Sequence, residues 1–253
     1  MWPGGSVLRV MVGECERVQT SWFRAQAEVL GGRSWEDGAL SWTDGPEGLN
    51  LMFPGELDAA AVRRGVQQAL SRGRASVGAW LSTDVDPSAL RECGFDRGWT
   101  IRWMAAPLSA VAAGGDDGDG RIELQADSLD YDGEHADYRD RLTMTRQEPQ
   151  TAWYAAAYTG PASPDGPRRF AGRAWSYYDG GPQGTAGVFD MEVWPRFRRR
   201  GLGTGLLRTV CSAARDAGAS QVVLNATDEG SLLYRTCGFT TIGEGITWWL
   251  HLR

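Results

Sequence analysis

The stretch Arg198-Arg199-Arg200-Gly201-Leu202-Gly203-Thr204-Gly205 decides how this chain reads. It follows an apolar run, Gly187-Val188-Phe189-Asp190-Met191-Glu192-Val193, which predicts a short buried strand. It precedes Leu206-Leu207-Arg208-Thr209-Val210, which carries helical spacing. The order is strand, glycine-rich turn, helix. Glycines at 201, 203 and 205 strip the turn of side chains, so a ligand can approach the backbone closely. The first amides of a helix have no intrahelical acceptors and sit at the positive end of its dipole. Together they form a nest for a phosphate or diphosphate. A nucleotide-hydrolysing loop needs Gly-x-x-x-x-Gly-Lys-Ser/Thr, and this chain contains no lysine. The dinucleotide fingerprint Gly-x-Gly-x-x-Gly does not fit the Gly-x-Gly-x-Gly found here.

What fits is Val193-x-Pro195-x-x-Arg198-x-x-Gly201-x-Gly203, with its strand before and its helix after. This resembles the acyl-CoA-binding signature of the GNAT N-acetyltransferase superfamily, (Arg/Gln)-x-x-Gly-x-(Gly/Ala). The resemblance implies that Arg198, Arg199, Arg200, Gly201, Leu202, Gly203, Thr204 and Gly205 hold the diphosphate of acetyl-CoA, with CoA as the product. It implies that backbone groups near Met191 and Val193 pair with the pantetheine arm like an added strand. It also implies a bulge there that splays this strand from the next, and an amide placed to stabilise the oxyanion.

Leu224-Asn225-Ala226-Thr227-Asp228, running on to Cys237-Gly238-Phe239, resembles the family's second motif. Tyr234 falls on its recurrent tyrosine, which implies a general acid that protonates the departing thiolate. The structural alternative is a core tyrosine under a helix. Asn225 is implied to bond the cofactor arm, its alternative being a sheet-end amide that satisfies local backbone. The attacking amine must lose a proton. Asp190 and Glu192 alternate with Met191 and are expected on one strand face, either acting directly or through a water. Glu192 ranks first as the nearer to the bulge, and solvated or ion-paired carboxylates are the alternative. Arg196 to Arg200 form the solvated edge of the turn, lending charge to the CoA phosphates. Trp194, Trp153 and Trp175 are expected to wall the acceptor cleft.

Composition narrows the rest. The chain has 253 residues, 42% hydrophobic and 23% charged, enough for one large domain or two small ones. No apolar run approaches the ~20 residues of a membrane span. The start, Met1 to Val10, lacks the basic and apolar segments of a secretory signal, so a cytoplasmic location is expected. Cys15, Cys93, Cys211 and Cys237 show no C-x-x-C pair and read as free thiols, and no metal site is expected. A net charge of −6 argues against general nucleic-acid binding and favours a cationic substrate.

Along the chain, helices are predicted over 7–30, 58–71 (capped by Asp58, with Val62, Val66 and Leu70 as its apolar stripe), 87–92, 131–147 and 231–235. Strands are predicted over 39–42, 49–53, 77–81, 99–104, 121–126, 152–158, 170–178 and 221–227, with a final strand pair over 239–252. Residues 112–120 carry no apolar side chain larger than alanine and read as a linker.

An internal repeat runs across that linker. Ala75-Ser76, Thr83-Asp84 and Arg91-x-Cys93-Gly94-Phe95 recur as Ala219-Ser220, Thr227-Asp228 and Arg235-x-Cys237-Gly238-Phe239 at a constant offset, 237 − 93 = 144 and 219 − 75 = 144. In the first copy Leu57 stands at the position of Gly201 and Leu90 at that of Tyr234, so the nest and the phenol are gone. The expected class is α/β (an α+β mixed sheet), as two GNAT-like domains. Each is a mixed, mostly antiparallel sheet flanked by helices: a degenerate copy over 1–111, the linker 112–120, and a complete copy over 121–253. Three functions compete: an acetyl-CoA-dependent N-acetyltransferase acting on an amine-bearing small molecule or peptide by direct attack, a catalytically silent CoA-binding or peptide-binding module, and a structural tandem that forms a homodimer. No nucleic-acid or membrane partner is expected.

Overall fold

The computed structural model describes residues 10–45, 48–112, 121–125, 138–160 and 169–252. The expected linker past Ala112, the start of the helix predicted over 131–147, and residues 161–168 of the Pro/Gly-rich loop read over 160–169 lie outside the described residues. By contact the chain divides into two units, neither of them one continuous stretch. The first takes Gln19–Trp103 and the chain from Gly243 on. The second takes the chain up to Val18 and Met104–Ile242.

The first unit contains most of helix α1 (Val12–Val29), strands β1 (Arg33–Asp37), β2 (Leu40–Gly45) and β3 (Gly48–Met52), helix α2 (Ala59–Ser71), strand β4 (Ser76–Ser82) and helix α3 (Ser88–Glu92). Strand β5 (Asp96–Pro107) gives Asp96–Trp103 to it, and the chain's last strand, β11 (Thr240–His251), gives its residues from Gly243 on. The strand order is β1-β2-β3-β4-β11-β5. β3 and β4 run parallel, because α2 crosses between them; β1–β2, β2–β3 and β4–β11 are antiparallel.

The second unit holds helix α4 (Leu108–Ala112), β6 (Arg121–Gln125), helix α5 (Tyr138–Arg141) running into a 3-10 turn at Leu142–Arg146, β7 (Ala152–Thr159), β8 (Arg169–Tyr177) and β9 (Thr185–Val193). A second 3-10 turn at Pro195–Phe197 follows, then α6 (Leu202–Asp216), β10 (Gln221–Ala226) and α7 (Asp228–Thr236). Its order is β5-β10-β9-β8-β7-β6, with β9 and β10 parallel around the α6 crossover and β6 to β9 antiparallel. Leu206, Val210 and Cys211 of α6 pack with Ala174, Val188, Leu224, Tyr234 and Phe239 into one core.

Three expectations change. The segment after Phe239 is one long strand rather than a pair, because Gly245 to His251 pair continuously with Ser82 to Ser76 and this ladder holds the intervening backbone extended. The apolar stripe of α2 is rotated: Ala61, Val62, Gly65 and Ala69 are buried and Leu70 is 43% exposed. Trp42 sets that rotation, since a Cβ on Gly65 would stand 2.2 Å from its Cζ2, and only a glycine face fits over the indole. Strand β1, polar along most of its length, carries no apolar alternation and escapes a pattern reading.

Candidate functional site

The parallel ladder of β9 and β10 runs from Thr185↔Gln221 to Val188↔Leu224 and stops, while β9 continues to Val193 and β10 to Ala226. The cause lies in β9. Between the β8 pairs Trp175↔Phe189 and Arg173↔Glu192, one residue of β8 faces two of β9. Asp190 takes the extra place with φ 46°, a left-handed conformation rare for a residue with a side chain. Val188, Met191 and Val193 therefore reach the same core, at a spacing of three and then two. The bulge expected near Met191 is there, and the residue inside it is Asp190.

The bulge also separates the two carboxylates. Alternation on one face is broken, and each has its own arginine. Asp190 accepts from Arg141 Nη1 at 2.7 Å, and Glu192 lies 3.4 Å from Arg173 Nη2. Arg173 also lies over the Trp194 ring at 5.3 Å, and Trp194 meets Phe170 edge-on at 5.2 Å. Trp153 and Trp194 are half-buried. Trp175 is fully buried against Tyr154, with centroids 4.8 Å apart, so it packs the core and cannot wall a cleft.

Past the end of β9 the chain turns through Pro195–Phe197 into the signature run. Arg196 and Arg200 lie over the Phe197 ring at 4.8 and 5.9 Å. Arg199 is left-handed at φ 63°, and Gly201 caps α6 at φ 78° with no side-chain bond to the helix start. Only glycine adopts that conformation without strain. The amides of Leu202, Gly203 and Thr204 thus open the helix with no carboxylate or hydroxyl cap of their own. Gly203 has another reason to be glycine: its Cβ would lie 3.0 Å from Leu233 and 3.6 Å from Met191, so it lets α6, α7 and β9 close on one another. Gly205 is buried, and its amide bonds the Gly201 carbonyl at 3.0 Å.

Arg198 is already engaged. Its Nε donates to the Val193 carbonyl at 3.0 Å and its Nη1 to Glu229 at 2.8 Å. Glu229 lies in the first turn of α7, whose N-cap Thr227 accepts from the Gly230 amide at 3.1 Å. Tyr234, one helix turn on, is 8% exposed and donates to Met191 Sδ at 3.7 Å. Burial, reinforced by the neighbouring thiols of Cys211 and Cys237, pushes its phenol up to about 12. Tyr234 therefore stays protonated and faces the splayed part of β9. Asn225 is half-buried just past the last paired residue of β10 and alternates to the opposite face from Leu224 and Ala226, which line the core.

The structure brings together Met191, Val193, Gly203, Tyr234 and the start of α6, and puts Asp190 and Glu192 on the same strand. Asn225 is not among them. Sequence reasoning missed Arg141, Arg173 and Glu229. Arg141 and Arg173 lie far from their partners along the chain, and Glu229 reads as an ordinary acid in a helix's first turn.

Four free thiols are present, three of them buried. Among the described residues no group of three or more histidine, cysteine or acidic side chains is placed to hold a metal, and no helix is long and apolar enough to cross a membrane.

No curated protein matches the chain. Among solved structures it is similar to a GCN5-related N-acetyltransferase from Kribbella flavida, at 15% identity and TM-score 0.59, covering 91% of this chain and 94% of that one. A GCN5-related N-acetyltransferase-like protein from Streptococcus suis shares 12% identity at TM-score 0.58, covering 95% and 100%. A tandem GNAT protein from the clavulanic acid biosynthesis pathway shares 15% identity at TM-score 0.57, covering 96% and 97%. At these identities the likeness is one of fold, a mixed sheet flanked by helices. Residues 122–239, which contain the splay, the uncapped helix start and Tyr234, match the family model of the acetyltransferase (GNAT) family.

Proposed function

We propose that the second unit binds acetyl-CoA and transfers its acetyl group to a primary amine by direct attack. The carrying observation is the ladder of β9 and β10 that stops at Val188↔Leu224 beside a helix start with no cap of its own. Residues present fit such a ligand: unpaired strand edge for an extended amide-bearing arm, and the amides of Leu202 to Thr204 for a diphosphate. Bound acetyl-CoA supplies the thioester carbonyl that the amine attacks. The chain's part is to hold that carbonyl beside the bulge and to give the phenolic proton of Tyr234 to the leaving sulfur. Burial that raises the phenol also raises the proton affinity of a thiolate in the same place, so the transfer is not opposed by the shift. The carboxylate of Asp190 or Glu192 takes up the amine's proton, directly or through a water.

A second reading, a CoA-binding module without turnover, draws support from the arginine partner that each of those carboxylates already carries. A melting curve with and without acetyl-CoA, then free-thiol release across an amine panel, separates the two. We expect a raised melting point and thiol release with at least one amine. A shift without release leaves the silent module; no shift removes both.

We also propose that the two halves, 1–111 and 121–253, are copies. Each has the order strand, helix, parallel strand, helix, strand: β3-α2-β4-α3-β5 and β9-α6-β10-α7-β11. Their short second helices end alike, Phe95 N on Leu90 O at 3.0 Å and Phe239 N on Tyr234 O at 3.1 Å, with Gly94 at φ 85° and Gly238 at φ 88°.

A further inference from the structure

We infer that Glu229 is a built-in competitor for Arg198, from which a phosphate-bearing ligand at the start of α6 must take the guanidinium; this rests on the diphosphate reading of that helix start. The two helix starts beside the splay are unlike. That of α7 carries its own Thr227 cap and the acids Asp228 and Glu229, whereas that of α6 carries Gly201 and no acid in its first turn. An incoming anion is thus received by α6 and repelled by α7. Arg198 lies between them, anchored through Nε to the last carbonyl of β9 and turned through Nη1 toward α7.

The anchor and the bridge are separable. The bond to Val193 fixes the stem, and the bond to Glu229 fixes only which anion the fork faces. Both side chains of the pair are solvent-exposed, 42% for Arg198 and 72% for Glu229, so water and salt screen it and exchange is easy. A diphosphate offers several oxygens to a planar fork that meets Glu229 through one nitrogen. Glu229 therefore lowers affinity for the phosphate-bearing ligand without touching it, and keeps Arg198 ordered until it arrives.

The test is calorimetric titration of the full chain with CoA at low salt, for the wild type, Glu229→Gln, Arg198→Ala and the double variant, each checked for an unchanged melting point. Glu229→Gln is expected to tighten CoA roughly two- to fivefold, and Arg198→Ala to weaken it. In the Arg198→Ala background the gain from Glu229→Gln should shrink, since the contested group is gone. Unchanged or weaker binding by Glu229→Gln, or a gain of full size without Arg198, overturns the competition alone. No binding of CoA by the wild type overturns the diphosphate reading and this inference with it.

Discussion

At the scale of single residues, the contact between Tyr234 and Met191 ties the expected acid to the strand that would present the thioester. Replacing Tyr234 by Phe keeps the ring among its core neighbours and removes only the donor. We expect turnover to fall roughly 10- to 1,000-fold, within and just below the range of acid catalysis, with acetyl-CoA affinity changed less than about threefold. Unchanged turnover in a steady-state assay would remove the acid role. The same burial has a consequence for stability. The Tyr234 phenol is raised from 10.0 to about 12 and the buried Cys15 thiol from 9.0 to about 12, the latter by burial and then by Glu16 and Glu14. The folded chain keeps protons that the unfolded chain has shed, so this stabilisation is complete below pH 9 and drains away between pH 9 and 12. Each group costs up to about 1.4 kcal/mol per pH unit once the unfolded form ionises. Urea midpoints measured from pH 8 to 11.5 should fall with rising pH, less steeply in Tyr234→Phe; a flat series contradicts the burial of both groups.

At the scale of elements, the two crossover helices start in opposite ways. Asp58 accepts from the amides of Ala60 at 3.3 Å and Ala61 at 2.9 Å, filling the start of α2 with the chain's own carboxylate. It is therefore Asp58, not Leu57, that stands where Gly201 stands in α6. A phosphate offered to α2 would meet a negative charge already bonded to its amides, so this helix start is closed to such a ligand. Asp58→Ala should cost about 1 kcal/mol, the usual worth of such a cap, read from the urea midpoint. Acetyl-CoA affinity should stay as it was, and a weakened affinity would show that α2 contributes to the site.

At the scale of the whole molecule, sequence halves and folded units do not coincide. The chain's last strand pairs with β4 inside the sheet of the first unit, and Met104–Pro107 of β5 join the sheet of the second. Ending the chain after Ile242 should expose the β4 edge and uncover the core that Trp248 and Leu250 close. We expect the amides of Ser76–Ser82 that face β11 to lose their protection from hydrogen exchange in that truncated chain. Retained protection would mean that the first unit folds without β11.

Much of this was legible because local sequence carries local physics. Asp58 announces a cap, Gly31 marks the end of the helix predicted to reach residue 30, and Val188 to Gly205 announce strand, turn and helix in an order that few sites share. The splay was legible only by family resemblance, and its placement at Asp190 was not, since a left-handed residue inside a strand leaves no mark on hydrophobic alternation. Arg198, Arg173 and Arg141 show where reading along the chain ends. Sequence alone determined that a glycine-rich turn joins a strand to a helix, because backbone geometry and spacing are set by neighbours a few residues away. Tertiary structure alone decided which anion each arginine faces, that Trp175 is core, and which unit receives the last strand, because those partners are brought together by packing between segments tens to hundreds of residues apart.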